Sequence, residues 1–459
     1  MPQSDLKSFA LSMRTERYDY RTPMKFGGRV VKDVTVASVD CQAESGKGPA
    51  RGFGSMTMGV AWAWPDPRLG DDDKLEIILE LMERLVDLFN GSAPCGHPLE
   101  ICHQLAAERS AIADQIYMER GLGETIPELA ILLASSPIEA ALFDAHGKAA
   151  GRSSYELLSE DHLPGDLSRF LGDDFAGVRL GDLIRTTPTA EMPVYHLVGA
   201  LDPLTGSDVD QPVGDGLPET LGDWITRNGL SHLKIKLAGD DLRWDIDRVD
   251  RVFGVAGQTR PELGGDWSFS LDFNERCEDE DYVLRMLEGL AERSPESLAC
   301  IGYIEQPTRR DLERPPIVTM HRVAERMPVV IDESLVDLRS LRTAISQGYS
   351  GIALKACKGH SEALLLGAVA VRERLYLCVQ DLTCVGASLL HSASLAAHIP
   401  GVAAVESNGR QYCPQGNERW MDDFGDFFEI RGGRIPTGRL GGAGLGYGDD
   451  PAWQAVAET

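Results

Sequence analysis

Five short apolar runs, each ending in a lysine or a carboxylate, constrain this chain more than any other feature. They are Leu233-Lys234-Ile235-Lys236, Phe269-Ser270-Leu271-Asp272-Phe273-Asn274, Tyr303-Ile304-Glu305-Gln306-Pro307, Val329-Val330-Ile331-Asp332-Glu333-Ser334 and Ile352-Ala353-Leu354-Lys355. The steps from position 236 to 272, 305, 332 and 355 run from roughly 23 to 36 residues, about one strand-plus-helix unit each. Apolar runs of this length between helical segments read as strands of a parallel sheet buried on both faces. Residues 191–198 read as a preceding strand, and 375–381 and 402–406 as two following ones. Eight such strands predict an α/β barrel whose C-terminal strand ends meet at one mouth, where barrels carry their active sites.

With 459 residues the chain can bury one large core and a smaller domain. No apolar run reaches about 18 residues, so no membrane span is expected. The start, Met1-Pro2-Gln3-Ser4-Asp5-Leu6-Lys7, lacks a signal-peptide pattern, and a cytoplasmic location is expected. A net charge of −26 argues against nucleic acid, which needs basic surface. A small anionic substrate is compatible with that charge, because a local metal or lysine pair reverses the field inside a pocket. The nine cysteines are scattered, odd in number and without a CxxC pair, and read as reduced packing thiols.

Residues 1–140 lack the barrel rhythm. Residues 30–43 alternate as a strand, and Arg51-Gly52-Phe53-Gly54-Ser55 reads as a turn into another. Residues 73–90 place Leu75, Ile78, Leu79, Leu81, Met82, Leu85, Val86 and Phe89 at helical spacing, with Asn90-Gly91 as the stop. Residues 101–117 and 126–134 read as further helices, giving an α+β region. Ser136-Pro137 then starts a helix that Gly151 ends. The Pro- and Gly-rich stretch 199–220 is long for a loop in a compact domain. It follows the first barrel strand, so it is expected at the mouth, and loops of this length are often functional.

Lys234 and Lys236 are two apart on a strand, so their side chains share one side. They read either as a base whose pKa a neighbour depresses or as solvated lysines at a strand edge. Asp272, Glu305 and Asp332 read singly as helix N-caps. Three at successive strand ends, flanked by lysines, favour a shared cation instead, because crowded carboxylates repel.

The order Lys-x-Lys, Asp-x-Asn, Glu-Gln-Pro, Asp-Glu-Ser, Lys-x-x-Lys resembles the enolase superfamily. The likeness is to the muconate-lactonizing-enzyme and dipeptide-epimerase branch of the mandelate racemase/muconate lactonizing enzyme family. Gly52-Phe53-Gly54-Ser55 and the segment from Ser136 to Gly151 are similar to that family's cap turn and to its helix leading into the barrel. The resemblance implies an α/β fold, a modified TIM barrel (β/α)7β with an N-terminal α+β capping domain. Residues 1–135 would form the cap, 136–408 the barrel, and 409–459 a segment packing back towards the cap. It implies Asp272, Glu305 and Asp332 as ligands of Mg2+, with Mn2+ as a substitute, and Asn274 and Glu333 beside the metal. Lys236 would be the base on one substrate face, tuned by Lys234. Lys355 would be the acid/base on the other, with Lys358 the alternative in that motif.

Substrate contacts are expected from Met56, Trp62, Asp381 and Glu406; Met56, Met58, Trp62 and Trp64 read equally as pocket wall or as core. Three departures bear on the substrate. Val405-Glu406-Ser407-Asn408 stands where dipeptide epimerases carry Asp-x-Asp. Gln380-Asp381-Leu382-Thr383 lacks the His–Asp pair of the mandelate-racemase branch. Lys358-Gly359-His360 replaces the usual Lys-x-Gly-Gly. The resemblance therefore implies a Mg-dependent isomerase or lyase that abstracts the proton α to a carboxylate, giving an enediolate. A racemase or epimerase of an amino-acid or dipeptide-like carboxylate leads. A cycloisomerase or a dehydratase, o-succinylbenzoate-synthase-like or acting on acid sugars, is the alternative. A catalytically silent metal-binding homologue is the remote one. A small carboxylate partner and a homo-oligomer are expected, with neither nucleic acid nor membrane.

Overall fold

The computed structural model describes residues 2–26, 29–92 and 94–453. Three antiparallel strands open the chain: β1 Leu6–Phe26, β2 Arg29–Ser45 and β3 Gly48–Thr57. The turn between β2 and β3 passes through Gly48 at φ 123°, a region that favours glycine. The helix Asp71–Ser92 buries Ile77, Ile78, Leu81, Met82, Leu85, Val86 and Phe89 along one stripe, as the periodicity predicts. It continues past Asn90-Gly91 to Ser92. The stretch 101–117 divides between helices Pro98–Gln104 and Ala106–Arg120.

Pro137 does not start a helix. One helix runs unbroken from Glu128 to Ala150 with Pro137 inside it. A proline within a helix leaves the carbonyl four residues back without its N–H donor. Here that carbonyl is Leu133 O, and the Ser136 hydroxyl donates to it at 2.9 Å. The helix lies hard against β3. A Cβ on Gly54 would stand 2.2 Å from Pro137 O, and one on Gly52 2.2 Å from Ala145 N, so only glycine permits this approach. The helix is long and apolar enough to cross a membrane, contrary to the expectation that no such segment exists. Its stretch from Leu129 to Gly147 is buried inside the protein, which assigns it to the core.

Eight parallel strands follow: β4 Met192–Val198, β5 His232–Lys236, β6 Ser268–Asp272, β7 Ile301–Glu305, β8 Val329–Ile331, β9 Gly351–Leu354, β10 Tyr376–Val379 and β11 Val402–Glu406. Each pairs with the next, and β11 pairs back to β4, closing the barrel. Helices join successive strands, which makes a (β/α)7β barrel behind an antiparallel cap. A last strand, β12 Arg434–Ile435, pairs antiparallel with β4. Beyond it Tyr447 OH donates to Phe53 O at 2.6 Å and Trp453 Nε1 donates to Asp40 at 2.7 Å, both in the cap sheet. All nine cysteines are free.

Inside the barrel, Tyr195, Tyr303, Val330, Ala353, Cys378 and Ala404 form one buried cluster. This layer decides what comes next. Side chains two residues further along a strand point to the same side. The layer above the plug therefore holds Leu197, Glu305, Asp332, Lys355, Gln380 and Glu406.

Candidate active site

The charged layer is buried as completely as the apolar one below it. Lys234, Lys236, Asp272, Glu305, Asp332, Lys355, Gln380, Asp381 and Glu406 are all at most 6% exposed. Register explains their meeting. Lys236 is paired with Asp272 across β5 and β6, and Asp272 with Glu305 across β6 and β7. Asp332 and Lys355 follow β8 and β9 directly.

Lys234 Nζ lies 2.8 Å from Glu305 Oε1 and 3.3 Å from both Asp272 Oδ2 and Glu406 Oε2. Lys236 forms an ion pair with the same Asp272 oxygen. Lys355 Nζ is 3.0 Å from Asp332 Oδ2, and Lys358 Nζ is 3.2 Å from Asp332 Oδ1. Lys358 also donates to Asp332 O at 2.6 Å. Both lysines of the Lys-x-x-Lys motif thus reach one carboxylate.

Burial and the neighbouring Asp272 push Glu305 up to about 8. Burial also raises Asp272, yet Lys236 and Lys234 hold it below the ordinary carboxylate range. Asp332 sits at about 2, since Lys355 and Lys358 outweigh its burial. The expected depression of the lysines is not what the arrangement produces. Burial alone would lower Lys234 and Lys355, but Glu305 and Glu406 raise the first and Asp332 raises the second. Lys358 alone of these three is lowered, by burial and by Lys355.

The cap reaches this cluster. The Trp62 ring stands 5.0 Å from Lys355 Nζ and 5.7 Å from Lys358 Nζ, within cation–π range. Arg310, paired with Glu275, donates to Trp62 O at 3.1 Å. Thr57 donates to Leu382 O at 2.9 Å, and Met56 packs against Cys384. At the other side Asn408 ties two carboxylates together. Its Nδ2 lies 2.9 Å from Asp381 Oδ1 and 2.6 Å from Glu406 Oε1, and its backbone N–H donates to Asp381 Oδ2. Burial and then Glu406 push Asp381 up to about 7. The 199–220 loop is pinned to the cap by the ion pair of Arg21 with Asp215.

Sequence reasoning missed Gln380, Gln306 and Asn408. Gln380 Nε2 donates to Glu305 Oε2. Gln306 Oε1 accepts the backbone N–H groups of Asp332 and Ser334, which fixes the end of β8. The period-two layer would have found Gln380, and the Glu-Gln-Pro run marks Gln306 without giving its role; nothing local marks the bridging role of Asn408.

A family model described as enolase C-terminal domain-like matches residues 217–452, more than half of the chain. This chain belongs to the mandelate racemase/muconate lactonizing enzyme family. No curated protein matches it. Among solved structures, a muconate lactonizing enzyme from Pseudomonas fluorescens complexed with muconolactone is 20% identical, with 98% of this chain and 99% of that one covered and a TM-score of 0.57. A dipeptide epimerase from Enterococcus faecalis complexed with Mg and the dipeptide L-Leu-L-Tyr is 17% identical over 97% and 99%, with a TM-score of 0.57. An enolase from Bradyrhizobium complexed with magnesium and mandelic acid is 17% identical over 98% of each chain, with a TM-score of 0.60. At these identities the likeness is one of fold.

For this member of the family the question is whether its carboxylates suit a divalent cation. Among the described residues, no three His, Cys, Asp or Glu side chains already stand as a ligand shell. The lysines hold the oxygens instead. The donor chemistry nevertheless fits. Asp272 and Glu305 already converge on one cation, the Lys234 ammonium, and hard oxygen donors are what Mg2+ takes. Beside them, both Glu333 oxygens and Asn274 Nδ2 are buried without a hydrogen-bond partner. Groups left so are costly unless something else satisfies them. Burial and then Asp332 raise Glu333 far above the usual carboxylate range, as carboxylates crowded without enough positive charge require.

Proposed function

We propose that this enzyme abstracts the proton α to a substrate carboxylate and returns a proton to the opposite face, acting as a racemase or epimerase of an amino-acid or dipeptide-like substrate. One observation carries the reading: two lysines on strands far apart around the barrel, Lys236 on β5 and Lys355 after β9, enter one buried mouth that also holds Asp272, Glu305 and Asp332. Asp272, Glu305 and Asp332 would hold Mg2+, or Mn2+ in its place. When bound, such a cation offsets the second negative charge that the substrate carboxylate gains on α-deprotonation, and it competes with the lysines for the three carboxylates.

The chain's own groups do the rest. Lys236, neutral at Nζ, takes the α-proton on one face and becomes an ammonium. Lys355, as an ammonium, gives a proton to the other face and becomes neutral. Reversal exchanges the roles, so each lysine works in both protonation states. Lys234 keeps its charge among Glu305, Glu406 and Asp272 and supplies a fixed positive field beside Lys236. Trp62 covers the lysines and excludes water, which strengthens every charge interaction below it. Asp381 and Glu406, bridged by Asn408, offer two carboxylates to a substrate ammonium; this favours an amino-acid-like substrate over a cycloisomerase or dehydratase substrate.

The test is α-hydrogen exchange in deuterated solvent with Mg2+, over a library of carboxylates, dipeptides and N-acyl amino acids. Exchange with inversion supports the proposal. Elimination or ring closure without α-exchange into recovered substrate would replace it with the lyase or cycloisomerase reading.

A further inference from the structure

A second site lies outside the barrel, behind β4. Side chains at 194, 196 and 198 alternate with the interior Tyr195, so His196 points away from the mouth. There it meets Trp224 on the helix Leu221–Asn228 and the side chain of Arg410. Arg410 is only 4% exposed. Its Nη1 donates to Asn228 Oδ1 at 2.7 Å and its Nη2 to His196 Nδ1 at 2.7 Å. Both acceptors are neutral: burial, then Arg410 itself, hold His196 well below its ordinary pKa. Asn228 is locked in that orientation because its amide donates to Ile430 O at 2.9 Å. The guanidinium lies 5.1 Å from the Trp224 ring centroid, and its Nε is buried with no partner.

Among the described residues, no carboxylate lies within ion-pair distance of Arg410. A buried cation with no carboxylate in direct contact is costly; burial pushes this guanidinium down to about 9, and the more distant Asp381 only partly offsets that. Arg410 opens onto a cavity of about 500 Å³, a volume suited to a small organic ligand. The cavity has apolar walls in Trp224, Met421 and Phe428. Arg227 and Arg431 stand exposed at its rim, as do Glu418 and Glu429. The innermost charge of the cavity is therefore Arg410, which no carboxylate pairs directly. None of Lys234, Lys236, Asp272, Glu305, Asp332 and Lys355 lines it.

We propose that this cavity binds a small organic oxyanion, a carboxylate or phosphate carried on an apolar body, with Arg410 as its buried anchor. Trp224 holds the guanidinium plane, Asn228 and His196 aim it without neutralising it, and the planar fork offers a bidentate match to the oxyanion. The aromatic wall takes the apolar part. This goes beyond the reaction at the barrel mouth and does not depend on its identity.

The experiment is a calorimetric titration of the full chain, in metal-free Tris chloride, with inorganic phosphate, phenyl phosphate and phenylacetate. Saturable one-site binding is expected for at least one phenyl probe, tighter than for inorganic phosphate; the better of the two names the oxyanion. Arg410→Gln is expected to weaken binding at least tenfold, and Lys355→Ala to change it less than twofold. Failure of all probes to saturate wild type overturns the proposal. So does an unchanged affinity in Arg410→Gln, or loss of binding in Lys355→Ala, which would put the probe at the mouth. If Arg410→Gln does not fold, the exposed pair Arg227→Ala/Arg431→Ala decides: about threefold weaker binding supports the site, and unchanged affinity overturns it.

Discussion

Asp332 pairs with two buried lysines, and replacing it by asparagine has a magnitude that the structure sets. Asparagine keeps the shape and one acceptor oxygen but removes the charge that Lys355 at 3.0 Å and Lys358 at 3.2 Å share. Burial raises the Asp332 pKa, but the lysines win and carry it from 3.8 down to about 2. A displacement of this size is worth about 2–3 kcal/mol of stability. Removing one partner of a buried ion pair costs about 3–5 kcal/mol by mutational precedent. The two routes agree on a loss of about 3 kcal/mol at neutral pH.

The sign with pH follows. A carboxylate whose folded pKa is depressed contributes fully above its unfolded value and loses the contribution as pH falls through the folded one. The gap between wild type and Asp332→Asn should therefore be constant above pH 3.8 and close towards about 2. Urea denaturation of both proteins in metal-free buffer, at neutral pH and at stepped acid pH, measures it. A gap under about 0.5 kcal/mol at neutral pH, ordinary for a surface change, would refute the pairing argument. A second arm adds Mg2+: wild type should gain stability by mass action and the variant much less.

Three further outcomes follow from the same geometry. Lys236→Ala should abolish α-exchange from one enantiomer while sparing some from the other, and Lys355→Ala the reverse; loss of the same enantiomer in both leaves a one-base elimination as the better account. Trp62→Ala uncovers Lys355 and should lower kcat for exchange about tenfold or more, read by steady-state kinetics, with unchanged kcat counting against the lid role. Gly54→Ala forces a Cβ to within 2.2 Å of Pro137 O and should destabilise the chain by about 1–3 kcal/mol, seen as a lower urea midpoint. An unshifted midpoint there means that the helix Glu128–Ala150 can move away from β3 freely.

The sequence by itself determined the barrel and the inward-facing carboxylates. Both follow from local rules: strand spacing sets the βα rhythm, and the period of two sends Lys234 and Lys236, or Tyr303 and Glu305, to one side whatever else the chain does. The acidic strand ends were legible for that reason. The tertiary structure alone decided which charge faces which. Lys358 reaches Asp332 from the turn after β9, where the Trp62 ring of the cap lies over it, and Asn408 bridges Asp381 and Glu406 across two strands. It also decided that Pro137 sits inside a helix: the Ser136 hydroxyl supplies the donor that Leu133 O lacks, and Gly52 and Gly54 of β3 let the helix pack close. Arg410 marks the limit of sequence reading most plainly. In the chain it is one basic residue in a glycine-rich tail; its meaning comes from burial among neutral partners on β4 and on the helix Leu221–Asn228, and burial is a property of the folded whole.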